Sequence, residues 1–188
     1  MGRMILLTGG SACGKSTYAE KLAVEAAAGG PLFYVAAMQP FGEESLKRIE
    51  RHREMRREKG FETVERYTDT AGLELPVHGG TALLECLCNL TANEMFSGEN
   101  MDENSGDGSV GEADAERAVA AVVAGVKNLA AQTSTLVVVT NDVGSDGGGY
   151  DELTMRYVDA LGRINSEMAA LADEVYELVC GIPLPIKR

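Results

Sequence analysis

Gly9-Gly10-Ser11-Ala12-Cys13-Gly14-Lys15-Ser16-Thr17 follows the apolar run Met4-Ile5-Leu6-Leu7 and precedes Tyr18 to Ala28, a stretch rich in helix formers. The spacing is G-x-x-x-x-G-K-[ST], a loop that cradles phosphates. Glycines let backbone N–H groups converge without a Cβ in the way, and the helix that follows presents its positive end to an anion. Within such a loop Lys15 reaches the β and γ phosphates of a nucleotide, and the Ser16 hydroxyl ligates a Mg2+ ion that bridges them. An apolar strand before the loop and a helix after it are the context that separates this motif from a chance glycine-rich turn.

Outward from that stretch, the chain alternates strands and helices. Gly29-Gly30-Pro31 ends the first helix, and Leu32 to Ala37 reads as a second buried strand, completing one parallel crossover unit. Met38 to Gly42 then forms a loop at the carboxyl end of that strand, the side on which open α/β sheets bind ligands. Glu43 to Gly60 reads as a helix with Leu46, Ile49 and Met55 on one side and a basic run of Lys47, Arg48, Arg51, Arg53, Arg56, Arg57 and Lys59 around His52. Such a run is either a solvated face or a clamp for a triphosphate, and both readings stay open. Glu62 to Tyr67 reads as a short strand, and His78 as part of a turn.

Thr81 to Leu87 reads as a third strand, apolar but for Glu85. A carboxylate there is costly unless it is paired or sits beside a metal, so Glu85 joins Ser16 as a candidate magnesium ligand; the other reading is a strand end facing solvent. Cys86 and Cys88 are expected to alternate on one face of that strand as small buried hydrophobes. Cys13, at the N-terminal end of a helix, lies where a thiolate is favoured. Residues 97 to 112 are rich in Gly, Asp, Glu, Asn and Ser and read as a mobile acidic surface loop. A helix over 113–131, a strand over 136–140, a long helix over 150–172 and a strand over 174–180 follow. The fold expected is a single-domain P-loop NTPase-like (RecA-like) α/β sheet over 1–188, mostly parallel, with helices on both faces.

With 188 residues, 45% of them hydrophobic, the chain can build one core. Its net charge of −12 disfavours nucleic acid or an anionic membrane as a partner. No membrane-span-length apolar run and no signal peptide pattern are present, which points to the cytoplasm. The four cysteines form no paired C-x-x-C spacing, so zinc is not expected. After the fourth strand, Asn141 is followed directly by Asp142, so the Asn-Lys-x-Asp guanine motif of switch GTPases is missing.

Taken together, these pieces resemble the bifunctional adenosylcobinamide kinase and adenosylcobinamide-phosphate guanylyltransferase family of cobalamin biosynthesis. The resemblance is carried by Ile5 to Gly10 with Gly14-Lys15-Ser16, by Arg48-Ile49-Glu50-Arg51-His52-Arg53, and by Leu83-Leu84-Glu85-Cys86-Leu87. Val139 to Gly144, Gly162-Arg163-Ile164-Asn165, Ala172 to Val175 and Gly181 to Leu184 continue it. It implies that one site phosphorylates adenosylcobinamide with GTP or ATP, Mg2+ assisting, and then transfers GMP from GTP to adenosylcobinamide phosphate. His52 is implied as the nucleophile that carries GMP. Nucleotide contacts are implied for Gly9 to Thr17, for Ala36, Ala37 and Met38, for Arg53, Glu54, Met55 and Arg56, and for Glu65 and Glu85. A homotrimer is implied as well. The chain departs from the family where it has Ala12 and Cys13 in place of Arg and Ser, and Met155 and Val158 in place of arginines. The competing readings are another P-loop small-molecule kinase in which His52 is incidental, and a non-enzymatic nucleotide-binding regulatory module.

Overall fold

A computed structural model describes residues 2–96, 110–144 and 148–188. The acidic stretch expected to form a loop therefore lies outside the described residues up to residue 109. In chain order the elements are β1 (Arg3–Thr8), α1 (Lys15–Ala27), β2 (Leu32–Ala36), α2 (Gly42–Arg56), β3 (Glu62–Glu65), a 3-10 turn (Thr70–Gly72) and β4 (Thr81–Glu85). There follow α3 (Leu87–Phe96), α4 (Glu112–Gln132), β5 (Thr135–Val139), α5 (Glu152–Leu171), β6 (Glu174–Val179) and β7 (Ile182–Lys187).

The strands form one seven-stranded sheet in the order β3-β2-β4-β5-β1-β6-β7, parallel throughout except for the β6–β7 pair. The runs TALLE and TLVVV bury all five of their residues, because central parallel strands are covered on both faces. Helix α1 packs on β1, β4 and β5, while α3, α4 and α5 pack on one another as a second layer. Among the described residues no helix is long and apolar enough to cross a membrane. Because β4 and β5 lie between β1 and β2, the chain leaves β1 past the carboxyl ends of two later strands, and a ligand crevice opens there.

Three expectations needed correction. The apolar run from Thr81 does not continue as a strand: β4 stops at Glu85 and Leu87 starts a helix, so Cys86 and Cys88 do not alternate on a strand face. Both are nonetheless buried. Helix α3 was not expected at all, nor was β7, which returns antiparallel to β6 through a two-residue turn. Cys180 and Gly181 both have positive φ, 50° and 81°, as the tightest hairpin turns require. Pro183 and Pro185 fit β7 because it is an edge strand, where missing amide donors face outward.

Helix α4 lies against the 3-10 turn through Gly125. A Cβ built there would come within 2.7 Å of the Thr70 Cβ and 3.2 Å of the Thr70 carbonyl carbon. Gly125→Val is therefore expected to destabilise the fold by about 3 kcal/mol through overpacking, read as a lowered urea midpoint. An unchanged midpoint would mean that α4 does not press on this turn.

Candidate active site

The phosphate loop runs from β1 into α1. Gly9 has φ 138°, and a Cβ there would lie 2.6 Å from the Leu178 carbonyl oxygen, so the first position admits no side chain. Gly14 caps α1 at φ 99°, and the β6–β7 turn packs against it: the Gly181 N–H donates to the Cys13 carbonyl at 2.8 Å. Lys15 is buried, and its Nζ donates to the carbonyls of Gly9 (2.8 Å) and Gly10 (2.5 Å) and lies 3.6 Å from the Cys13 sulfur. The ammonium is thus held inside the ring of backbone that surrounds the phosphate position.

Glu85, at the end of β4, is the carboxylate around which the site closes. The Ser16 hydroxyl donates to its Oε1, and the Tyr34 hydroxyl donates to its Oε2 at 3.1 Å. Burial, reinforced by that carboxylate, pushes the Tyr34 phenol upward, so it remains a protonated donor. The Arg56 guanidinium lies 3.4 Å from the centre of the Tyr34 ring, and its Nη1 is buried with no hydrogen-bond partner among the described residues. His52 projects from α2 so that its Nδ1 is 3.8 Å from Glu85 Oε1, and only 8% of the residue is exposed. Burial pushes the imidazole below its ordinary value; Glu85 opposes this, while Arg48, Arg56 and Arg51 add to it. The ring is therefore neutral near neutral pH.

Two cavities meet at His52. The larger, about 730 Å³, is lined by Ser11 to Thr17, by Lys47, Arg48 and Arg51 from α2, and by Asn141 beyond β5. The smaller, about 100 Å³, is lined by residues that include Ala36, Met38, Arg53, Arg56, Glu65 and Tyr67. Arg48, His52, Glu85 and Cys86 belong to the walls of both.

Most residues singled out in the sequence come together here. Gly9, Gly10, Ala37 and Glu54 line neither cavity: the Gly9 and Gly10 carbonyls take the Lys15 ammonium, the Ala37 N–H donates to the Glu85 carbonyl at 3.1 Å, and Glu54 is exposed beside Arg57 at 3.0 Å. The Met55 side chain lies outside what is described. Glu65 pairs with Arg53 at 2.8 Å. The basic run divides between its two readings: Lys47, Arg48, Arg51, Arg53 and Arg56 line the cavities, whereas Arg57 pairs with Glu54, and Lys59 meets the buried Glu20 at 2.5 Å, tying the end of α2 to α1. His78 is exposed and meets Glu74 at 3.1 Å.

Sequence reasoning missed Tyr34, Cys86, Asn89 and Asn141 as lining residues. Tyr34 carried a signal, a hydroxyl inside an apolar strand, that could have been paired with the carboxylate in the next apolar strand. Cys86 and Cys88 form a thiol pair beneath the site, with the Cys88 thiol pulled down to about 6, chiefly by its hydrogen bond with Cys86, and the Cys86 thiol raised.

The oxygen set suits magnesium. Among the described residues no group of three or more His, Cys, Asp or Glu side chains gathers to hold a metal ion, whereas Ser16 and Glu85 already touch beside the phosphate loop. One hydroxyl and one carboxylate, completed by phosphate oxygens and water, is how Mg2+ is held in nucleotide sites.

The family model for cobinamide kinase / cobinamide phosphate guanyltransferase matches residues 5–186. The bifunctional adenosylcobalamin biosynthesis protein CobU of Escherichia coli K12 is 33% identical over 190 residues, covering 98% of this chain and 99% of its own. The protein of the same name from Salmonella typhimurium LT2 is also 33% identical, with 98% and 99% covered. Among solved structures, the flagellar accessory protein FlaH of Methanocaldococcus jannaschii aligns with TM-score 0.48 and 12% identity, covering 99% of this chain and 78% of that one.

Proposed function

The chain belongs to the cobinamide kinase / cobinamide phosphate guanyltransferase family, and from that premise we propose how one site serves both activities. The enzyme is a bifunctional kinase and guanylyltransferase of cobalamin biosynthesis. Adenosylcobinamide takes a γ-phosphoryl group from GTP or ATP, and adenosylcobinamide phosphate then takes GMP from GTP by way of His52. The observation that carries this reading is the position of His52, a buried and neutral imidazole in the wall shared by the triphosphate cavity and the smaller one.

In the kinase step, Lys15 and the N–H groups from Ser11 to Ser16 hold the β and γ phosphates, and Arg48 and Arg51 offset the charge that spreads over the transferring group. Ser16 and Glu85 would hold Mg2+, which would supply positive charge to offset that of the phosphates. In the second step His52 bonds to the α-phosphorus of GTP while the bond from that phosphorus to the bridging oxygen breaks and pyrophosphate leaves. Its Nδ1 lies on the Glu85 side, 3.8 Å from Oε1, which leaves Nε2 as the attacking nitrogen. The phosphate of adenosylcobinamide phosphate then displaces histidine from the same phosphorus, giving adenosylcobinamide-GDP and restoring free imidazole.

The smaller cavity suits the guanosine half of GTP. Glu65 offers a carboxylate able to accept the adjacent N–H groups of guanine, and the unpartnered Arg56 Nη1 is a donor for an oxygen of the bound nucleotide. The resemblance extends the proposal to a homotrimer working in the cytoplasm.

The test is a product analysis. With adenosylcobinamide, GTP and magnesium, chromatography should show adenosylcobinamide phosphate rising first and adenosylcobinamide-GDP with pyrophosphate replacing it. A product that stops at the phosphate in excess GTP would instead make the protein a simple kinase.

A further inference from the structure

Asn141 is a polar lining residue of the large cavity, outside the phosphate loop and α2, that the scheme above leaves idle. It stands just past the end of β5, which pairs in parallel with β1. Its main chain is held on both sides of the peptide unit. Its N–H donates to the Cys88 sulfur at 3.3 Å, its carbonyl accepts from Asn165 Nδ2 at 3.3 Å, and the next N–H, that of Asp142, donates to the Gly9 carbonyl at 3.2 Å. That Gly9 carbonyl also takes the Lys15 ammonium at 2.8 Å. One residue earlier, the Thr140 N–H donates to the Leu7 carbonyl at 2.9 Å, and its buried hydroxyl donates to Asn165 Oδ1 at 2.7 Å. The segment is therefore rigid, and it is registered on the one backbone carbonyl that also positions Lys15.

We propose that Asn141 is a catalytic residue of phosphoryl transfer, its carboxamide bridging the γ-phosphoryl group and the acceptor hydroxyl. The inference rests on the kinase half of the proposed function. A carboxamide suits the task because it both donates and accepts. Nδ2–H donates to an equatorial oxygen of the γ-phosphoryl group, and Oδ1 accepts from the attacking hydroxyl, which sets the two in line. As the new P–O bond forms, the bond from the γ-phosphorus to the β-bridging oxygen breaks and its electron pair leaves on the nucleoside diphosphate. The hydroxyl proton passes to water, since a neutral amide cannot keep it. In guanylyl transfer the reacting phosphorus is the α one, at His52, and Asn141 touches only the departing pyrophosphate.

The two reactions therefore respond unequally to substitution. In Asn141→Ala the kinase kcat is expected to fall about 100-fold, the usual loss for one preorganised donor at the transferring group. Asn141→Asp, which has the same shape and leaves the main-chain contacts in place, should lose at least as much, because a carboxylate there repels the triphosphate and cannot donate. In Asn141→Ala, label transferred to the protein from GTP labelled at the α-phosphate should fall less than about fivefold, with circular dichroism unchanged; Asn141→Asp is read on the kinase step alone, because its added charge also faces the pyrophosphate of the labelling reaction. Near-normal kinase activity in Asn141→Asp would overturn the assignment, as would equal loss of both reactions in Asn141→Ala, which would mark the residue as a support of the loop. Wild-type enzyme is assayed alongside: if it does not phosphorylate adenosylcobinamide, the kinase reading itself fails and the assignment falls with it.

Discussion

His52→Ala is expected to take up no label from GTP labelled at the α-phosphate, a loss of about 1,000-fold or more, while still phosphorylating adenosylcobinamide within about tenfold of the wild-type rate. The asymmetry follows from where the imidazole sits. It lines both cavities, but in the proposed scheme its bond-forming role is confined to the α-phosphorus. Its contribution to the kinase step runs through Glu85, 3.8 Å away, which keeps its contacts with Ser16 and Tyr34 when the ring is removed. The adduct in the wild-type protein should be acid-labile and alkali-stable, as a phosphorus–nitrogen bond to histidine is. Equal loss of both activities would show that His52 supports the site as a whole.

Lys15→Ala is expected to impair both reactions, each by about 100- to 1,000-fold in kcat, or about 3 to 4 kcal/mol of transition-state stabilisation. Its Nζ is the one ammonium enclosed by the phosphate loop among the described residues, and the carbonyls of Gly9 and Gly10 fix it there. In the proposed scheme both the γ-phosphoryl group transferred in the first reaction and the pyrophosphate released in the second occupy that loop. Steady-state assays of each half-reaction, with circular dichroism to confirm folding, measure the effect. Loss of only one activity would separate the two triphosphate positions.

The parts of this site that were legible in the sequence are those whose signal is local. The phosphate loop announces itself because Gly9 and Gly14 need backbone conformations or clearances that other residues cannot supply, and the lysine and serine follow at fixed offsets. Glu85 was legible as a lone carboxylate in an apolar strand, since burial of a charge demands a partner. His52 was not legible from composition alone. Its burial comes from α2 lying over the crevice, a tertiary event that periodicity does not encode; only the resemblance singled it out.

The misses have similar causes. Leu87-Cys88-Asn89-Leu90 continues an apolar run, and four residues are too few to show the change of period from strand to helix. β7 hides behind two prolines, which lower any strand expectation unless the strand is known to be at an edge. Asn141 and Asn165 each looked unremarkable alone. What makes them matter is the parallel register of β5 with β1, which brings Asn141 beside Gly9, and the α5 packing that sets Asn165 under it.

The most direct test of the shared site is to identify the modified residue in wild-type protein. Incubation with GTP and magnesium, alkaline digestion conditions and peptide mass spectrometry should place GMP on the peptide containing His52 and nowhere else. A GMP adduct on any other residue, or guanylyl transfer that proceeds with no adduct on the protein, would contradict the account.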